Sequence, residues 1–143
     1  MTCTFFGHRN TPDSVKEKLK KTIIDLIDNK GVDMFYVGNH GNFDRMVISI
    51  LKVLKLIYPN IDYKIVLAYP PSKNSVYNGD ETEYPEGIEV MAKKYAIEYR
   101  NKWMLKCADI VVAYVSHDWG GAAKFVRLAK RRKLYVINLF NEN

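Results

Sequence analysis

Short apolar runs alternate with helix-periodic segments from one end of this chain to the other, and that alternation restricts the fold more than any single motif. Residues 2–6, 33–37, 63–69, 110–115 and 134–139 read as strands, and 110–115 has the composition of a strand buried on both faces. Between them, Val15, Leu19, Ile23, Leu26 and Ile27 recur at helical spacing. Residues 43–58, 86–94, 99–107 and 121–132 also read as helical, the last with Ala122, Phe125, Val126 and Ala129 on one face. Strand–helix alternation of this kind implies a parallel sheet with helices on both faces. Right-handed crossovers then leave few topologies. The expectation is a single α/β domain over residues 1–143, a three-layer Rossmann-like arrangement with a parallel five-stranded sheet ordered 3-2-1-4-5.

The helix ends carry their own signals. The first helix has two competing starts, Thr11 with Pro12 at the first helical position or Ser14 with Glu17 as a capping box, and Asn29-Lys30-Gly31 is its stop. The segment 43–58 is apolar almost all round, through Met46, Val47, Ile48, Ile50, Leu51, Val53, Leu54, Leu56 and Ile57. Such a helix is buried in its own domain or covered by another subunit, and a homo-oligomer through this helix is expected. Residues 72–87 form a long polar connection, which reads as a functional lid or as a loop without fixed structure.

Composition limits the function classes. At 143 residues the chain is long enough for a substantial core. No apolar run approaches membrane-spanning length, and the apolar start Thr4-Phe5-Phe6 is broken at once by Gly7-His8-Arg9, so neither a membrane span nor a signal peptide is expected. Two cysteines, Cys3 and Cys107, make neither a disulfide framework nor a metal knuckle; buried thiols and a cytoplasmic location are the expectation. The net charge of +6 suits anionic partners without choosing among them.

In a sheet of the expected order, ligands sit beyond the carboxyl ends of the strands where strand order reverses, here between strands one and four. The loops at that point are Gly7-His8-Arg9 and Ser116-His117-Asp118-Trp119-Gly120-Gly121. Gly120-Gly121 opens a helix after a buried strand, which aims unpaired backbone N–H groups at an anion; the plainer reading is a tight turn. His8, His40 and His117 all follow strands, as do Arg9, Asn39, Asp44, Asp118 and Trp119. No histidine pair has metal-ligand spacing on a helix, and no metal or other cofactor is expected. Arg9 and Arg100 suit phosphate through their planar guanidinium groups, with a surface ion pair as the alternative for Arg100. Asp44 suits a ribose hydroxyl or simply the helix dipole, and Trp119 suits a base or the core. Lys130-Arg131-Arg132-Lys133 complements a helix C-terminus, and nucleic acid is not the expected partner.

Assembled in order, these features resemble the SLOG superfamily, the Rossmann-like group that includes Smf/DprA and the Lonely Guy phosphoribohydrolases, and within it the small bacterial and phage branch. The resemblance rests on Phe6-Gly7-His8-Arg9, on Gly38-Asn39-His40-Gly41-Asn42-Phe43-Asp44, on Arg100-Asn101-Lys102-Trp103-Met104 before Ala108-Asp109, and on Gly120-Gly121. It implies binding of a nucleotide or nucleotide-derived molecule. In the Lonely Guy enzymes an arginine before strand four and a glutamate after the glycine motif cleave an N-glycosidic bond. Arg100 matches that arginine, whereas Lys124 stands where the glutamate would follow.

The leading expectation is therefore a binder of an ADP-ribose-like or signalling nucleotide, a sensor or sequestering protein in phage–bacterium immunity. Its ligand-binding residues would be Gly7, His8, Arg9, Gly38, Asn39, His40, Asp44 and Arg100 from the first half of the site. Ser116, His117, Asp118, Trp119, Gly120, Gly121 and Ala122 would complete it. The alternatives are an N-glycosidase or deoxyribosyltransferase-like enzyme, with Asp118, Asp44 and Arg100 as catalytic candidates, and DprA-like single-strand binding.

Overall fold

Alternate residues of a strand point to opposite faces of its sheet, and β1 (Thr2–Gly7) uses both. Cys3 and Phe5 enter one apolar cluster while Phe6 enters another. The computed structural model describes residues 1–71 and 76–140. In chain order β1 is followed by α1 (Lys16–Lys30), β2 (Met34–Val37), α2 (Asn42–Ile57), β3 (Asp62–Val66) and β4 (Thr82–Glu83). Then come α3 (Ala96–Cys107), β5 (Ile110–Tyr114), α4 (Gly121–Arg131) and β6 (Tyr135–Asn138). All strand pairs are parallel, in the order β4-β3-β2-β1-β5-β6.

The fold is α/β with a six-stranded parallel sheet, so the expected count of five is one short. The expected order is kept, and the extra strand is the two-residue β4, which pairs Thr82 with Ile65 and Glu83 with Val66 at the β3 edge. Two residues are too few to show a period of two in sequence. On one side, Phe5, Phe35, Ile65 and Val112 pack with Leu19, Ile23 and Leu26 of α1 and with Phe43, Val47 and Leu51 of α2. On the other, Phe6, Val66, Val111 and Ala113 pack with Met104 and Leu105 of α3 and Phe125, Val126 and Ala129 of α4.

Three local expectations need correction. Neither start signal caps α1: Thr11 donates its hydroxyl to the His8 carbonyl at 2.6 Å, and a short 3-10 turn at Asp13–Val15 leads into the helix without a side-chain cap. The stop is as read, with Gly31 left-handed at φ +70°. Residues 86–94 are not one helix but two 3-10 turns, Ile88–Val90 and Lys93–Tyr95, since Gly87 at φ +87° and the extended Met91 interrupt any longer run. Within the connection 72–87, residues 72–75 lie outside the described residues. Its remainder carries a 3-10 turn at Gly79–Glu81, closed by a reciprocal Asn78–Glu81 capping box, and then β4.

The chain itself covers most of α2. Phe43, Met46, Val47, Ile48, Ile50, Leu51 and Leu54 are buried within it, and Val53, Leu56 and Ile57 are exposed. Of the cysteines, Cys3 is buried as expected and Cys107 is exposed. Among the described residues, no helix is long and apolar enough to cross a membrane.

Candidate functional site

With α1 and α2 sharing one core and α3 and α4 the other, the loops after β1 and β5 diverge and leave a crevice between them. A cavity of about 410 Å³ fills it. Gly7, His8, Arg9 and Asn10 line it from the end of β1, and His40 and Asp44 from the β2–α2 turn. His117, Trp119, Gly120, Gly121 and Ala122 line it from the β5–α4 turn, and Ile97, Arg100, Asn101 and Met104 from one face of α3.

The start of α4 opens onto this cavity. Gly120 is its N-cap at φ +94°, ψ 174°, with no side-chain cap, and the first helical bond runs from the Lys124 amide to the Gly120 carbonyl at 3.1 Å. The amides of Gly121, Ala122 and Ala123 have no acceptor among the described residues. A Cβ built on Gly120 or Gly121 meets nothing within 4 Å, and both glycines line the cavity. α2 begins with almost the same backbone, Gly41 at φ +94°, ψ 178°, but its first amide is engaged by the protein. There the Arg9 carbonyl accepts the Asn42 amide at 2.8 Å, and the Asp44 carboxylate folds back to accept the His40 amide at 3.0 Å. An uncapped helix start concentrates partial positive charge and donors suited to an anion.

Arg100 supplies a fixed cation. Only 2% exposed, its Nη1 donates to the Val66 carbonyl at 3.0 Å and its Nε to Asn101 Oδ1 at 2.8 Å. Longer contacts reach Asn39 Oδ1 at 3.5 Å and His40 Nδ1 at 3.4 Å. No carboxylate lies within 4.0 Å of it among the described residues, so the surface ion pair considered from sequence is absent. Burial lowers its pKa and nearby Asp44 opposes that, but a guanidinium stays protonated at any working pH. Gly38 makes the arrangement possible, because a Cβ there would stand 2.7 Å from Arg100 Nη1 and 2.9 Å from Asp44 Oδ2.

Asp44 is 8% exposed, and burial pushes its carboxyl up to about 6 against the His40 amide bond and the pull of Arg100 and Arg9. Burial, Arg100 and Arg9 together lower His40 to about 4. These two groups act on stability with opposite signs. Asp44 holds its proton more tightly folded than unfolded, so its contribution is greatest below pH 3.8 and is lost as pH rises through about 6. His40 holds its proton less tightly folded, so stability is lost as pH falls from 6.5 towards 4. We expect Asp44→Asn to stabilise the protein at pH 8, by on the order of 3 kcal/mol at most. The gain should vanish near pH 4, and with His40 unopposed the variant should lose stability more steeply on acidification; urea midpoints at the two pH values measure this.

The third element is a column of rings. His8 and His117 stack at 3.8 Å between centroids, and His117 and Trp119 at 3.7 Å. The base of the column is fixed, because the Ser116 amide donates to His8 Nε2 at 2.9 Å and so assigns the ring proton to Nδ1. Burial and neighbouring His117 lower the His8 pKa, consistent with a neutral ring. His117 Nδ1 lies 2.9 Å from the Trp119 carbonyl.

Of the residues singled out in sequence, Gly38, Asn39, Ser116 and Asp118 do not line the cavity. Gly38 and Asn39 lie against Arg100, Ser116 holds His8, and the Asp118 carbonyl accepts from Arg127 Nη1 at 2.6 Å. The lining residues not anticipated are Phe5, Phe6, Asn10, Ile97, Asn101 and Met104. The last three share a helix face with Arg100 through spacings of three and four, a signal present in the sequence. Lys124 is outside the cavity and pairs with Glu98 of α3. Among the described residues, no group of three or more His, Cys, Asp or Glu side chains is placed to hold a metal ion. No family model matches the chain, and no curated protein gives a significant match.

Proposed function

We propose that this chain binds a phosphorylated, nucleotide-derived small molecule in the crevice between the β1 and β5 loops. The carrying observation is the uncapped start of α4, where the Gly121, Ala122 and Ala123 amides have no acceptor among the described residues and Gly121 and Ala122 line a cavity that Arg100 also lines. Arg9 assists at the cavity mouth, and Asp44, ionised above about pH 6, accepts from ribose hydroxyls. This reading goes with the three-layer Rossmann-like domain and with SLOG membership, and it places the protein as a cytoplasmic sensor or sequestering agent for a signalling nucleotide in phage–bacterium conflict. A homo-oligomer is retained as a proposal on the exposed Val53, Leu56 and Ile57 of α2. The test is calorimetry against nucleoside monophosphates, ADP-ribose and cyclic ADP-ribose isomers. Saturable heat from at least one is the expected result, and none from the whole panel contradicts it.

One observation favours an enzymatic second reading: Asp44 combines burial, a raised pKa and a place in the cavity, as a carboxyl acting on a glycosidic bond requires. Asp118 lacks that position. Free base released from nucleoside monophosphates, and abolished by Asp44→Asn, would establish turnover. The basic cluster 130–133 is at the far end of α4 from the cavity, which leaves single-strand binding without support from this site.

A further inference from the structure

Trp119 is 68% exposed although one face of its indole rests on His117. A large aromatic ring with its second face open, on the rim of a cavity, is an unusual use of apolar surface, and it is not needed to close a core. The other tryptophan is different: Trp103 is half-buried against Tyr36 at 5.0 Å between centroids. Trp119 immediately precedes Gly120 and the open amides of α4, so an open stacking face and an anion site are neighbours along the backbone. The column beneath it runs through His117 to His8, which is buried and accepts the Ser116 amide at Nε2.

We infer that Trp119 is the base platform of the site: the ligand carries a planar heteroaromatic base that stacks on the open indole face and lengthens the His8–His117–Trp119 column by one ring. This rests on the proposed phosphate site and gives the base of its nucleotide-derived ligand a named place, the open face of Trp119. Sugar phosphates and inorganic phosphates lack the ring and would use the rest of the site without the platform. Stacking tolerates any base, since each has a π-face. Adenosine 5′-monophosphate therefore serves as the probe, and ribose 5-phosphate as the same ligand without its base.

The experiment uses the Trp103→Phe chain, which keeps a ring against Tyr36 and leaves Trp119 as its sole tryptophan. Both probes are titrated by calorimetry and by tryptophan fluorescence. The expected result is saturable quenching by adenosine 5′-monophosphate only, with roughly tenfold tighter binding than ribose 5-phosphate. Trp119→Ala should erase that preference and Trp119→Phe should keep most of it. Equal affinities in the Trp103→Phe chain, or a preference that survives Trp119→Ala, would overturn the platform while leaving the phosphate site standing. Binding of neither probe would overturn the platform, and the phosphate site falls with it if the wider nucleotide panel also gives no heat.

Discussion

Ala122→Asp is expected to weaken nucleotide binding at least about a hundredfold while the protein melts no earlier than before. The substitution sets a carboxylate in the first turn of α4, at a half-buried position lining the cavity. There it competes with a ligand phosphate for the amides of Gly121, Ala122 and Ala123, which lack acceptors among the described residues. A hydrogen bond to a charged group contributes about 1.5–3 kcal/mol, and each ~1.4 kcal/mol is tenfold in affinity. Losing two such bonds, with like-charge repulsion added, accounts for the loss. The same carboxylate stabilises the helix start by about 0.3–1 kcal/mol. Ala122→Asn, similar in size but uncharged, should retain most of the affinity. Calorimetry with the bound nucleotide and a thermal melt of each variant measure the two effects, whose opposite signs separate an anion site from a generally damaged fold.

Gly7→Ala should produce the largest loss of stability from a single methyl group. A Cβ at Gly7 would lie 2.2 Å from Cγ of Phe43, whose ring is fully buried beneath α2. Neither partner can retreat freely, because Gly7 is in register with Tyr114 at the end of β1 and Phe43 is in the first turn of α2. Overpacking of this kind costs about 1–3 kcal/mol or more, a large part of the ~5–15 kcal/mol that holds a domain folded. The melting temperature should fall by several degrees. Phe43→Leu in the same chain should recover part of the loss, because residues in contact do not add independently.

The strand order was legible because five of the six strands are long enough to show their composition. β4 was not, since two residues are recruited by the β3 edge rather than by their own pattern. The α2 sequence showed that it must be covered but not by what. In the fold, Phe5, Phe35 and Ile65 of the sheet and Leu19 and Ile23 of α1 share its apolar cluster. At the site, Gly120-Gly121 and the residues after β1 and β5 could be placed from the switch-point rule alone. Which helix start keeps its first amide free could not, because Gly41 and Gly120 adopt nearly the same backbone and only the tertiary approach of the Arg9 carbonyl engages the first amide of α2. Gly38 was singled out as a ligand contact, whereas its role is to leave room for Arg100 and Asp44. Such space-making is a property of the packed neighbours and leaves no mark in local sequence.

The most direct measurement is a backbone amide NMR titration of the full chain with adenosine 5′-monophosphate. The amide protons of Gly121, Ala122 and Ala123 are expected to move downfield together and saturate with a single affinity, while that of Asn42, already bonded to Arg9, moves little. Saturable binding that left those three α4 amides unmoved would contradict the anion site.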